Sequence, residues 1–279
     1  MNDARPPQPG GRRVDLHAHT VFSDGTLTPE ALLEHARSRS VAFLGITDHD
    51  NVDAVPFALA AAGDVTVVPG IEISSALDGL DLHMLGYFLD HTDETLTARL
   101  VSFRDERRSR ARAILEKLEA LGLPVDADEV FASAGPGVVG RPHVAHALVK
   151  AGHVPNMEMA FQRYLGPRGA AFIPRPAFHS EAAIATIHAA GGAAVLAHPG
   201  ASLSEHVIER LRDAGLDGVE VWHPQHGPNA VRRWHESARK LGLIESGGSD
   251  FHGPNRGAGL GDMPVPEHTV ELLRAAARR

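Results

Sequence analysis

Nine side chains of the kind that ligate divalent cations recur in short clusters along this chain. They are His17 and His19 with Asp24, His49 in Thr47-Asp48-His49-Asp50, Glu72 after Gly70-Ile71, His83, His198 in Ala197-His198-Pro199, and Asp250 with His252. Imidazole mixed with carboxylate suits zinc, manganese or iron. Residues two apart on an extended run face the same side. His17 and His19 can therefore point at one ion, as can Asp250 and His252, and Asp24 lies in a Ser23-Asp24-Gly25 loop that can fold back. Six imidazoles and three carboxylates exceed what one four-coordinate ion takes. Two or three ions sharing bridging carboxylates account for the set, and the chemistry is that of a metal-dependent hydrolase. A single His-x-His would mean little in a chain with 18 histidines. The recurrence of such clusters where apolar runs end carries the argument.

Those ends have to be placed by a scaffold. Short β-branched or apolar runs alternate with helical patterns. Val14-Asp15-Leu16 reads as a strand ending at the first histidine pair, and Val41 to Ile46 as a strand running into Thr47-Asp48-His49-Asp50. Thr28 is placed as an N-cap with Pro29 at the first helical position. A helix over 54–62 leads to a strand over 65–68, and 80–88 is a further extended run. Later, 193–197 and 218–222 read as strands, with helices over 181–190, 205–214 and 229–241. This alternation predicts an α/β fold with parallel strands and crossover helices, a barrel whose active site lies at the C-terminal rim. Between residues 94 and 172 the pattern turns wholly helical. A long helix over 94–121 is followed by shorter ones over 126–133, 143–151 and 157–165, with Ala134-Gly135-Pro136-Gly137 between two of them. The organisation expected is a barrel formed by 13–93 and 173–279, split by a helical insertion at 94–172.

Composition narrows the classes. At 279 residues with 43% hydrophobic content, the chain can bury a sizeable core. Cysteine is absent, which excludes disulfides and thiolate metal sites and fits a reducing cytoplasm. Residues 1–13 are rich in Pro and Gly without the apolar stretch of a signal peptide, and no membrane span is expected. A net charge of −8 argues against broad binding to duplex nucleic acid. It leaves room for a phosphorylated substrate, because bound dications would make the pocket locally positive.

Asp15-Leu16-His17-Ala18-His19-Thr20 with Ser23-Asp24-Gly25, Thr47-Asp48-His49-Asp50, Pro69-Gly70-Ile71-Glu72, His83, Ala197-His198-Pro199 and Gly248-Ser249-Asp250-Phe251-His252 resemble the polymerase and histidinol phosphatase (PHP) family in order and spacing. The resemblance runs from Val14 to His252. It implies a distorted (β/α)7 barrel with a two- or three-metal phosphoesterase site, manganese first and iron or zinc as alternatives. The implied ligands are His17, His19, Asp24, His49, Glu72, His83, His198, Asp250 and His252. The helical insertion, with its Gly140-Arg141 and Tyr164-Leu165 surroundings, resembles the branch acting on nucleoside 3',5'-bisphosphates and short RNA 5' ends. The expected substrate is thus a small phosphorylated nucleotide or short oligonucleotide. A histidinol-phosphate-type phosphomonoesterase and a non-catalytic metal-binding module are the competing readings. The full ligand set weighs against the second, and an arginine suited to another anionic group weighs against the first.

Outside that set, Asp48 and Asp50 are read as partners orienting His49, and Asp48 is grouped with His223 as catalytic. His223 follows the strand 218–222, where it can protonate a leaving oxygen. Arg141, between a glycine-rich stretch and a helix start, is placed on a second phosphate, with Arg168 and Arg175 as further substrate-binding candidates. The run Arg104, Arg107, Arg108, Arg110 and Arg112 is read as a solvated helix face with local ion pairs.

Overall fold

A computed structural model describes residues 12–135, 137–174 and 178–277. Seven strands form one sheet in chain order: β1 (Arg13–Asp15), β2 (Val41–Ile46), β3 (Thr66–Leu77), β4 (Leu80–Tyr87), β5 (Ala193–Leu196), β6 (Gly218–Trp222) and β7 (Ile244–Gly247). All neighbours pair in parallel except β4, which runs antiparallel to both β3 and β5. The reason is local. β3 and β4 are joined by Asp78-Gly79 alone, both at positive φ (51° and 82°), the two-residue hairpin that Asp-Gly favours. The segments following β1 and β7 also meet: Leu16 N donates to Gly247 O at 3.3 Å and His19 N to Phe251 O at 2.8 Å.

Helices α1 (Pro29–Ser38) and α2 (Val55–Ala61) connect the first three strands. Thr28 caps α1 by accepting from Ala31 N at 3.3 Å. Between β4 and β5 come α3 (Glu94–Ala120), capped by Asp93, then α4 (Ala127–Ser133), α5 (Arg141–Lys150), α6 (Met157–Ala160) with a π-helical turn at Phe161–Leu165, and α7 (Ser180–Ala189). Helices α8 (Glu205–Asp213), α9 (Pro228–Leu241) and α10 (His268–Ala276) complete the chain. No described helix is long and apolar enough to cross a membrane.

Apolar side chains of the strands and flanking helices make two adjoining clusters, one around Leu44, Ile71, Met84 and Trp234, the other around Leu16, Val68, Tyr87 and Val195. A third lies within the helical region, uniting Ile114 and Leu118 of α3 with Val130, Val144, Leu148 and Leu165. The amphipathic α3 thus packs at its start against the sheet, through Leu96, Leu100 and Phe103, and further on within the helical group.

Candidate metal centre and substrate cavity

Eight of the nine predicted ligands lie within a strand or a few residues beyond one, and Asp24 lies in the turn between β1 and α1. His17 and His19 follow β1, His49 follows β2, Glu72 is within β3, His83 within β4, His198 follows β5, and Asp250 and His252 follow β7. The β3/β4 register pairs Ser74 with His83, which brings the antiparallel strand's histidine beside Glu72. Asp50 N donates to Glu72 O at 3.0 Å and Glu72 N to Asp48 O at 3.1 Å, tying the His49 loop to β3. Close approach demands glycine at Gly248, where a Cβ would lie 2.4 Å from the His17 nitrogen. His198 and Asp250 adopt positive φ of 25° and 51°, a backbone strain typical of functional loops.

All nine side chains converge. His17 Nε2 and His19 Nε2 lie 3.3 and 3.2 Å from Glu72 Oε2, and 3.3 and 3.1 Å from Asp250 Oδ1. The other Glu72 oxygen lies 2.7 Å from His83 Nδ1 and 2.9 Å from His198 Nε2. A third group joins Asp24 Oδ1 to His252 Nε2 at 3.2 Å, with His49 and His19 beside them. Donor atoms bonded at about 2.1 Å to one cation, with about 90–110° between bonds, are about 3.0–3.4 Å apart. The spacing around Glu72 and Asp250 therefore suits shared ions. His19 Nε2, Asp24 Oδ1 and His49 Nδ1 are buried without any hydrogen-bond partner, which is costly for polar atoms unless a cation receives their lone pairs. The residues present fit a group of divalent metals.

Electrostatics agree with this fit. Burial opposes charge on His17 and His19, but Glu220, Asp250 and Glu72 overcome it at His17, which is raised well above the usual range, and Asp250 and Glu72 overcome it at His19, which is pushed up to about 10. Glu72 and Asp250 are held well below the usual carboxylate range, the surrounding imidazoles outweighing burial. His49 goes the other way, down to about 3, because burial outweighs Glu72 and Asp24. The site concentrates buried negative charge and attracts cations.

Glu220 carries no signal beyond a lone carboxylate inside the apolar run Val219-Glu220-Val221, and sequence reasoning missed it. It is fully buried, accepts from His17 Nδ1 at 3.0 Å through one oxygen and from His198 N at 2.7 Å through the other. The first bond leaves the His17 Nε2 lone pair for a metal. His223 is also buried. Its Nδ1 accepts from Gln225 N at 3.2 Å, so in the neutral ring the proton sits on Nε2, which lies 3.4 Å from Asp250 Oδ2. Asp48 requires a correction. Its carboxylate accepts from Thr20 N, Thr20 Oγ1 and Ser23 Oγ at 2.6–2.7 Å, so it braces the loop after His19 and does not orient His49. Asp50 likewise turns from His49, accepting from Ser74 N at 2.8 Å and from the Arg107 guanidinium.

A cavity of about 630 Å³ opens onto this centre. Its walls include His49 and His83 together with Arg107, Arg110, Arg141 and Phe161. Arg141 begins α5, its Nη1 donating to Leu165 O at 3.3 Å and its guanidinium lying over Phe161; burial lowers its pKa. The expectation of a solvated arginine face on α3 fails for two members. Arg107 ion-pairs with Asp50 and donates to Ser74 Oγ at 2.9 Å, and Arg110 donates to Ile173 O at 2.8 Å. Both also line the cavity. Arg168 is exposed and does not line the cavity, and Arg175 lies outside the described residues.

A cation-binding centre that shares a cavity with guanidinium groups suits phosphate esters, and the class it defines is the metal-dependent phosphoesterases. Residues 15–124 match the PHP domain. The 5'-3' exoribonuclease Rnm of Salmonella typhimurium is 35% identical over 249 residues, 86% of this chain and 85% of that protein. The 3',5'-nucleoside bisphosphate phosphatase of Chromobacterium violaceum is 35% identical over 252 residues, 88% of each chain. The structure of a metal-dependent phosphoesterase from Bifidobacterium adolescentis superposes with a TM-score of 0.90 at 32% identity, covering 98% of both chains. The chain belongs to the PHP family.

Proposed function

We propose that this protein removes the 3'-phosphate from nucleoside 3',5'-bisphosphates and, by the same chemistry, trims short RNA from its 5' end. The observation that carries the reading is the cavity, whose lining combines Arg107, Arg110 and Arg141 with Asp24, His49 and His83 of the histidine–carboxylate centre. One phosphate can meet the centre while another meets guanidinium. The names of the Salmonella and Chromobacterium relatives point to the same two substrate classes.

The seven strands are read as a distorted (β/α)7 barrel made by 13–93 and 173–279, supported by the bonds joining the ends of β1 and β7. Residues 94–172 are read as a cap, supported by their own apolar cluster. His17, His19, Glu72 and Asp250 would hold one ion, Glu72 with His83 and His198 a second, and Asp24 with His49 and His252 a third; manganese is the metal proposed. Bound there, the ions would activate water and neutralise phosphate oxygens. Arg141 holds the 5'-phosphate. His223, protonated on Nε2, donates to the leaving 3'-oxygen. Glu220 fixes the rings and backbone that present His17 and His198, while Asp48 holds the loop carrying His19 and Asp24. The cap excludes bulk water.

The test is phosphate release with added manganese from adenosine 3',5'-bisphosphate, histidinol phosphate and an aryl phosphate. A clear preference for the bisphosphate is expected. Preference for histidinol phosphate, or turnover of none, would overturn the reading.

A further inference from the structure

His17 and His19 enter the centre side by side, yet different groups stand behind their rings. His17 Nδ1 rests on the Glu220 carboxylate at 3.0 Å. His19 Nδ1 lies 3.3 Å from Ser23 Oγ, on the loop that also carries Asp24. Ser23 is only 3% exposed, and its hydroxyl donates to Asp48 Oδ1 at 2.6 Å. A carboxylate only accepts, so the hydroxyl proton is committed to Asp48 and the hydroxyl oxygen is left to accept. The donor within its reach is His19 Nδ1–H. With the ring proton on Nδ1, the Nε2 lone pair is exposed where Nε2 lies 3.2 Å from Glu72 Oε2 and 3.1 Å from Asp250 Oδ1.

The same ring nitrogen has a competing acceptor. Asp24 Oδ1 lies 3.8 Å from His19 Nδ1, beyond hydrogen-bond reach. That oxygen is buried without a hydrogen-bond partner, and His252 Nε2 stands 3.2 Å from it. A buried carboxylate oxygen attracts an imidazole N–H strongly when no nearer acceptor engages the donor. Ser23 is the nearer acceptor. Asp48 keeps it in place, because the same carboxylate also accepts from Thr20 N and Thr20 Oγ1, both at 2.7 Å, and so clasps the loop at two points. The hydroxyl therefore keeps the His19 ring from turning onto Asp24.

We propose that Ser23 is a positioning residue for two of the ions. It commits His19 Nε2 to the ion shared with His17, Glu72 and Asp250, and it reserves Asp24 for the ion shared with His49 and His252. The proposal rests on the three-ion arrangement of the phosphoesterase reading above. Without the hydroxyl, His19 Nδ1–H closes the gap to Asp24 Oδ1. The ring then turns its Nε2 from the first ion, and the Asp24 oxygen is spent on a proton donor. The ion between Glu72, His83 and His198 keeps its donors. Ser23 acts through its hydroxyl alone, so threonine preserves the effect and alanine loses it. Ser23 borders open space next to the centre, which leaves room for the additional methyl.

The experiment titrates metal-free protein with zinc against a chelating indicator and follows the His19 ring nitrogens by NMR, zinc being diamagnetic. Wild-type protein should take up three ions, with His19 protonated on Nδ1. Ser23→Ala should weaken two of the three binding steps by about tenfold each and leave the other unchanged, the lower end of the loss usual when the partner behind a ligating histidine is removed. Its His19 Nδ1 proton signal should move, while circular dichroism shows an unchanged fold. Ser23→Thr should restore both the affinities and the signal. Ser23→Ala with wild-type affinities, a uniform weakening of all steps, or Ser23→Thr as weak as Ser23→Ala would overturn the proposal. Uptake of a single ion by the wild type would overturn the three-ion arrangement and the proposal with it. The predicted zinc pattern in a protein that releases phosphate from no ester would strike at the phosphoesterase reading and support the role of Ser23.

Discussion

Replacing Glu220 with glutamine removes one charge and almost no volume, and it should disable the metal centre. The carboxylate accepts two hydrogen bonds, from His17 Nδ1 at 3.0 Å and from His198 N at 2.7 Å. An amide has one accepting oxygen and one donating nitrogen, so it can satisfy only one of these donors. If its oxygen stays on the His198 nitrogen, the amide N–H faces His17 Nδ1 and forces the ring proton onto Nε2, the atom that should ligate. If its oxygen stays on His17, two donors oppose each other at His198, whose backbone is already at a φ of 25°. The first arrangement blocks the ligating atom, and the second leaves a buried donor unmet at about 1–3 kcal/mol. That agrees with the about 10- to 100-fold loss of metal affinity usual when a partner behind a ligating histidine is removed. Manganese affinity, read by competition with a chelating indicator, should fall by about that factor while the melting transition of the variant stays cooperative. The His17 ring nitrogens, followed by NMR, should show the altered tautomer. A Glu220→Gln protein with wild-type manganese affinity and an unchanged ring would refute the reasoning.

Asp250→Ala should abolish turnover without unfolding the chain, since it removes the oxygen lying within 3.3 Å of both His17 and His19; near-wild-type kcat at saturating manganese would contradict its assignment. Arg141→Ala should lower kcat/KM for the bisphosphate by about ten- to a hundredfold, and scarcely change an aryl phosphate that lacks a second anionic group. Equal losses on both substrates would place Arg141 at the reacting phosphate instead. Arg107→Ala leaves Asp50, only 2% exposed, without its guanidinium and should destabilise the protein by about 3 kcal/mol in urea denaturation. A change below about 0.5 kcal/mol would mean that the pair is dispensable. Manganese at about a hundred times its dissociation constant should stabilise the fold by about 2.7 kcal/mol over chelator-treated protein, raising Tm by several degrees, with no shift expected if the cluster binds nothing.

What could be read from the sequence follows the physics of each element. Thr28-Pro29 is a strong local start signal, and α1 begins at Pro29 as expected. Strands 41–46 and 218–222 were legible because apolar runs of that length have few other homes. β7 was not, since Ile244-Glu245-Ser246-Gly247 is neither apolar nor alternating, and only its neighbours make it a strand. β3 continues nine residues past its expected end because the Asp78-Gly79 turn folds β4 back onto it and pairing overrides the polar Ser74 and Ser75. α10 was missed as well. In the site, the histidines and carboxylates that converge were visible because metal chemistry restricts the types and spacing of candidate ligands. Their partners were not. Glu220 looks like any strand carboxylate, Asp48 was assigned to the nearer histidine in the chain, and the inward turn of Arg107 depends on how a helix crosses a distant loop.

Tyr87 at the end of β4 is paired with Ala193 at the start of β5, and Asp90 N donates to Ala190 O at 2.8 Å. Everything between them departs from and returns to one spot on the sheet. The ladder fixes that gap, so the ordering entropy of the intervening chain grows only slowly with its length. Descendants of this sequence could therefore lengthen, shorten or exchange the helical excursion without moving a single strand-borne ligand. Selection on what the enzyme accepts would then act on α3 to α6, while selection on how it breaks a bond acts on the rim beneath. The two can drift at different rates within one gene.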